Sequence, residues 1–102
     1  MKSDADVQND LCDGRFEFSR HAFHRAAERN ISTQEIREAG ETMQVIERYP
    51  DDKYSPSCLV LGYTRQMRAL HIQVSLLGVP FLKIITLYEP DLSEWIDDEI
   101  RR

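Results

Sequence analysis

Residues 70–77 alternate between apolar and polar side chains, and this alternation constrains the fold more than any other feature of the chain. Leu70, Ile72, Val74 and Leu76 share one side of an extended segment, and polar residues occupy the other side. A repeat of two is typical of a β-strand with one buried face. Three more segments have strand character, and their short connections favour an antiparallel meander. The four predicted strands are residues 42–49, 58–63, 70–77 and 81–88.

Helical spacing appears on both sides of these strands. Ser19 is a good N-cap for a helix that ends at Asn30, and Ser32 opens a capping box for a second helix. Another capping box opens residues 91–100, which we expect to form a terminal helix that Trp95 docks on the sheet. The predicted order is α-α-β-β-β-β-α. This order indicates an α+β fold with helices packed on one four-stranded antiparallel sheet.

The remaining sequence is acidic at both ends. Residues 1–14 are polar and lack periodicity, so we expect a flexible acidic tail ahead of a single α+β domain, residues 15–102. The net charge of −5 argues against a non-specific nucleic-acid binder. No apolar run has the length of a membrane span, so no membrane partner is expected. Cys12 and Cys58 form no disulfide or metal motif, which favours a cytoplasmic protein with reduced thiols and no metal or other cofactor.

The first predicted helix carries the most distinctive polar residues. His21, Arg25, Glu28 and Arg29 fall at i, i+4, i+7 and i+8 and therefore share one stripe of the helix. Imidazole titrates near neutral pH, and guanidinium binds phosphate through a fixed fork of donors. The stripe therefore suits phosphodiester chemistry. Charged helix faces are also commonly solvated surfaces without a further role, and the sequence leaves both interpretations open.

The third predicted strand supplies a second set of polar candidates. If its apolar side faces the helices, His71 points the other way. Thr86 and Tyr88 on the next strand join His71 in one register, and a slip of one residue removes them. The alternative is a polar sheet face exposed to solvent, which is common in antiparallel sheets.

Several segments of the chain resemble a small bacterial family of domains of unknown function. The resemblance covers about residues 16–97 and rests on Phe18-Ser-Arg-His21-Ala22, Arg25, Glu28-Arg29, residues 45–51, 56–62, 70–72 and 85–91, and Trp95. That family looks related to the RelE/BrnT-like toxins of bacterial toxin–antitoxin pairs, which are mRNA endonucleases. The resemblance implies a compact nuclease fold with its site on the exposed sheet face and catalysis without a metal ion. The matching positions are His21, Arg25, Arg29, His71, Thr86 and Tyr88.

The first function that follows is a metal-independent endoribonuclease of the toxin type, with RNA and an antitoxin protein as partners. Histidine serves as base or acid near pH 7, and arginine stabilises the charge on the phosphate. The predicted catalytic residues are His21, Arg25, His71 and Tyr88, and the predicted substrate-binding residues are Arg29 and Thr86. Such toxins are usually basic, whereas this chain is acidic.

The second function is a non-catalytic protein-interaction module that keeps the same fold. Its acidic ends suit a basic partner. A homodimer is compatible with either function. A positive cleft beside His21 and His71 favours the nuclease, and separated or buried histidines favour the interaction module.

Overall fold

The computed structural model describes residues 1–102 and contains three helices, a five-stranded sheet and a small two-stranded sheet. The helices are α1 (Asp4–Cys12), α2 (Arg20–Glu28) and α3 (Thr33–Glu41). The strands of the large sheet are β1 (Phe16–Phe18), β2 (Gln44–Tyr49), β3 (Ser57–Tyr63), β4 (Ala69–Ser75) and β5 (Leu82–Tyr88). The small sheet is a hairpin of β6 (Trp95–Ile96) and β7 (Ile100–Arg101). None of the helices is long and apolar enough to cross a bilayer.

The large sheet has the order β1-β5-β4-β3-β2. The four predicted strands form its antiparallel part, which confirms that portion of the prediction. The expectation of a purely antiparallel four-stranded sheet is wrong, because β1 adds a fifth strand parallel to β5. Three residues are too few to show a repeat of two in the sequence. The position of β1 depends on pairing with a strand that lies far along the chain.

The helices cover one face of the large sheet and enclose an aliphatic core. Leu70, Ile72 and Val74 of β4 are fully buried there, as the alternation predicts. Ala22 and Ala26 of α2 reach the same core. The predicted caps also form, because the Ser19 hydroxyl accepts from the Ala22 backbone N–H and Ser32 forms a reciprocal capping box with Glu35.

The N-terminal segment is ordered, which differs from the flexible acidic tail expected for residues 1–14. Ser3 and Asp6 form a capping box that begins α1. Val7 and Leu11, one helical turn apart, are fully buried in the core. Lys2 forms an ion pair of 2.7 Å with Asp10. Two apolar residues produce little periodicity in a sequence, but here both contact the same core, and their burial offsets the entropy of ordering the helix.

The C-terminal segment forms the β6–β7 hairpin, so the predicted terminal helix over residues 91–100 is wrong. Asp97 and Asp98 adopt positive φ angles of 53° and 64° in the turn of this hairpin. Trp95 is buried, as predicted, whereas Leu92 and Ile100 are exposed. A helix would place all of these apolar residues on one stripe. Here only the Trp95 indole packs against the sheet. The hairpin lies on the sheet face opposite the helices, where Trp95 contacts His71.

Candidate functional site

The register of the sheet brings together three of the predicted site residues. His71 lies directly opposite Tyr88, and Gln73 lies opposite Thr86. All of them point to the sheet face away from the helices, because cross-strand partners share a face. A bulge at Ile85 then shifts the register, so that Ile84 returns to the core beside Val74.

His71 lies on this outer face but is fully buried. Its Nε2 lies 2.5 Å from the backbone oxygen of Asp98, which can only accept, so Nε2 carries the proton. Nδ1 is then free to accept a long hydrogen bond of 3.4 Å from the Tyr88 hydroxyl. Burial lowers the pKa of His71 below its usual value of 6.5, which favours the neutral ring. With the hairpin in place, His71 contacts protein on every side and is shielded from a substrate.

Tyr88 connects this buried pair to the surface. Burial raises the pKa of its hydroxyl, and the charges of Arg101 and Arg29 act in the opposite direction. Tyr88 and Arg29 line one cleft of about 480 Å³. The cleft therefore unites two predicted site residues. Its other lining residues are three acidic side chains, Glu89, Asp91 and Glu94.

The acidic lining works against phosphate binding. Glu89 is paired with Arg68 at 2.9 Å, but Asp91 and Glu94 have no basic partner in an ion pair. The pKa of Asp91 is lowered by a hydrogen bond from the Ser93 backbone, so this carboxylate is charged at neutral pH. Negative charge repels a phosphodiester, and Arg29 alone faces these carboxylates within the cleft.

The remaining predicted residues lie apart from this cleft. His21 is exposed on α2, which packs on the helical side of the sheet, whereas His71 lies on the outer side. Arg25 pairs with Glu28 on the same helix at 3.3 Å. Thr86 is half-buried beside Gln73. The structure therefore places Arg29 beside Tyr88 in the cleft, and Tyr88 beside the buried His71. His21 and Arg25 lie outside this group.

Arg101 makes structural contacts beside His71 that the sequence did not predict. Its guanidinium lies 4.6 Å from the Trp95 ring and pairs with Glu47 at 2.9 Å. Glu47 also accepts a hydrogen bond from the Tyr49 hydroxyl. These contacts hold the hairpin over His71. Residues 47 and 101 are far apart in the chain, so no local spacing signals their pairing.

A second cleft of about 680 Å³ lies on the uncovered part of the outer face. At its polar end, the Asp52 carboxylate accepts from the Ser57 hydroxyl at 2.8 Å and from the Gln73 amide at 3.3 Å. Leu77, Val79 and Ile85 are among its other lining residues. The polar side chains satisfy one another, and the sequence offered only a turn signal at Asp52.

The most unusual surface lies at the β1 edge of the sheet, where three phenylalanines contact one another. Phe16 and Phe18 of β1 meet edge to face at 5.9 Å, and Phe23 meets Phe18 in the same way at 6.5 Å. Phe23 is 60% exposed, and Phe16 and Phe18 are half-buried. On α2, Ala22 and Ala26 reach the core, and Phe23 does not. We call Phe16, Phe18 and Phe23 the phenylalanine edge.

Comparison with known families matches the central part of this domain. A family model described as "Domain of unknown function (DUF4258)" matches residues 18–89. The chain belongs to the DUF4258 family. The match spans α2 to β5 and includes His21, Arg25, Arg29, His71, Thr86 and Tyr88.

Helix α1 and the β6–β7 hairpin of this DUF4258 protein lie outside the match. Helix α1 covers one end of the core, and the hairpin covers His71. Searches of the curated proteins and of the solved structures found no significant match. No comparison connects the chain to the RelE/BrnT-like toxins.

Proposed function

We propose that this DUF4258 protein is a non-catalytic protein-interaction module of the cytoplasm that docks a partner protein on its phenylalanine edge. One observation carries the proposal: Phe16, Phe18 and Phe23 contact one another at one open edge of the sheet, and Phe23 is 60% exposed there. Contiguous exposed apolar surface of this kind is typical of interaction sites. Aromatic residues are also enriched in protein interfaces.

The two edges of the sheet support this choice of surface. β2 forms the other edge and is protected by a bulge at Ile46 and by the charges of Glu47 and Arg48. Natural proteins use such bulges and charges to prevent strands from pairing with other chains. β1 has Glu17 as its only charged residue, and phenylalanines flank it.

The surroundings of His71 also favour a module over an enzyme. A general base must reach the proton that it removes. The hairpin covers His71, and His21 lies on the other side of the sheet. The buried network explains His71 as a structural residue, with the Asp98 carbonyl and the Tyr88 hydroxyl as its partners.

Site-specific photo-crosslinking in the natural host tests the module. A photoreactive phenylalanine analogue replaces Phe23 in one protein and exposed Met67 in a matched control. We expect a discrete protein adduct from position 23 and none from position 67. The captured protein is then purified and its affinity measured with wild-type protein and with Phe23→Ser. Equal adducts at both positions, or equal affinities, would contradict the proposal.

A metal-independent ribonuclease of the toxin type is the second candidate, because Arg29 and the Tyr88–His71 pair meet at one cleft. In that case Arg29 binds the phosphate, and the RNA 2′-OH attacks the phosphorus while its proton passes to water. Tyr88, in its neutral form, donates a proton to the leaving 5′ oxygen. Purified wild-type protein is incubated with RNA in chelator beside Tyr88→Phe and Arg29→Gln. We expect no cleavage by any of the three. Cleavage by the wild type that both variants lose would replace the module with the nuclease.

A further inference from the structure

The backbone of β1 offers hydrogen-bonding groups to a further strand. The Arg15 carbonyl accepts from the Leu82 N–H at 3.0 Å, and the Ser19 N–H donates to the Ile84 carbonyl at 2.9 Å. Residues 15 and 19 therefore direct these groups toward β5. Because backbone groups alternate in direction along a strand, the N–H and C=O groups of Phe16 and Phe18 face the open edge.

Side chains divide between the two faces in the same way. Phe16 and Phe18 pack against the core on the helical face. Glu17 lies on the outer face, where it pairs with Lys83 at 3.3 Å and keeps about half of its side chain exposed. Beside Phe18, a groove of about 310 Å³ continues between β1 and the α2–α3 connection. Its apolar lining consists of Phe18, Phe23, Ala26, Ala27 and Ile31.

We propose that β1 receives an extended segment of a partner protein as a sixth strand, with an apolar–basic–apolar pattern opposite Phe16, Glu17 and Phe18. This proposal rests on the interaction module proposed above and specifies its partner. Backbone hydrogen bonds from Phe16 and Phe18 hold the segment, and its apolar side chains face the groove side. Its basic residue faces Glu17, because opposite charges across a strand pair are favourable.

Two features favour a different protein over a second copy of this chain. An antiparallel pair of β1 strands that uses both Phe16 and Phe18 places Glu17 opposite Glu17 of the other copy. Like charges directly opposite destabilise a strand pair. A self-paired ladder is also only three residues long, whereas stable interfaces bury about 1,200 Å² or more. A foreign segment extends beyond β1 into the groove and gains area there.

Peptide binding followed by NMR tests the proposal. The probe is a capped peptide of about ten residues in which valine alternates with lysine, and the matched peptide carries glutamate in place of lysine. We expect the lysine peptide to shift the Phe16 and Phe18 amides and to bind wild-type protein about 3–5-fold more tightly than the glutamate peptide. N-methylation of the peptide amides that face β1 abolishes binding, and N-methylation of the alternate amides does not.

Variants at Glu17 separate this charge preference from general attraction to an acidic protein. Glu17→Gln removes the preference for lysine, and Glu17→Lys reverses it, while circular dichroism confirms that both variants are folded. Unchanged preference in both variants would overturn the proposed pattern. Absence of shifts at Phe16 and Phe18 would overturn strand addition. A concentration-dependent dimer in sedimentation that protects these two amides would assign the edge to a second copy.

The two proposals fail in different ways. If the photo-crosslinked partner binds wild-type protein and loses affinity for Phe23→Ser while the Phe16 and Phe18 amides still exchange freely with solvent, the module stands and strand addition is wrong. If position 23 yields no adduct and the wild type cleaves RNA, the module itself is wrong and the inference falls with it.

Discussion

The indole of Trp95 meets the imidazole of His71 edge to face, with ring centroids 4.4 Å apart and planes at 89°. This contact joins the C-terminal hairpin to the middle of the large sheet. It also converts an outward-pointing histidine into a buried one, because the hairpin covers the ring and the Asp98 carbonyl binds its N–H. Edge-to-face aromatic pairs are favourable beyond the area that they bury.

Truncation of the indole should release the hairpin from the sheet. We expect Trp95→Ala to lower the free energy of unfolding by about 3–5 kcal/mol, the usual cost of removing a large buried aromatic side chain. Leu92→Ala is the matched control in the same segment, because Leu92 is 70% exposed, and it should change stability by at most about 0.5 kcal/mol. Urea denaturation of both variants measures the difference. Equal denaturation midpoints for the two variants would show that burial of the indole does not stabilise the protein.

The buried imidazole should make stability depend on pH. Burial lowers the pKa of folded His71 below 6.5, so the unfolded chain binds this proton first as the pH falls. The stabilising contribution is complete above pH 6.5 and is lost progressively below it. We expect the unfolding free energy of the wild type to fall more between about pH 7.5 and pH 5.5 than that of His71→Gln. The comparison isolates His71, because His21 and His24 are present in both proteins. A parallel pH dependence would contradict the burial of His71.

The N-terminal helix should contribute to stability. Leu11 is fully buried against the core, so Leu11→Ala should cost about 2–5 kcal/mol through lost contacts and a residual cavity. Asn9 is exposed on the same helix, and Asn9→Ala should alter stability by at most about 0.5 kcal/mol. Thermal denaturation compares the two. A Leu11→Ala protein with the wild-type midpoint would restore the interpretation of this segment as a dispensable tail.

Gly62 allows α3 to approach β3 closely. A Cβ atom at this position would lie 2.1 Å from the Ala39 carbonyl oxygen, and that backbone atom cannot move without moving the helix. We expect Gly62→Ala to destabilise the protein by about 3 kcal/mol or more. Gly78 has open space around its Cβ position, so Gly78→Ala should be neutral or slightly stabilising. Chemical denaturation of the pair checks this, and similar losses in both would refute the close approach.

Local signals determined the central part of this protein. The alternation in residues 70–77 predicted both the strand β4 and the face of each of its side chains, because the repeat depends only on backbone geometry. The serine caps at Ser19 and Ser32 predicted where α2 and α3 begin, because capping also depends only on neighbouring residues. The family match covers the same region, residues 18–89.

Only the tertiary structure decided the two ends and the fate of the candidate site. The burial of Val7 and Leu11 makes α1 a helix, and the pairing with β5 makes β1 a strand. The sequence assigned His71 to the outer face correctly, but its accessibility depends on Trp95, which lies more than twenty residues along the chain. Alternation and capping act between neighbouring residues, whereas burial depends on which distant segment covers a surface. The sequence alone therefore determined which way His71 points, and packing determined that no solvent reaches it.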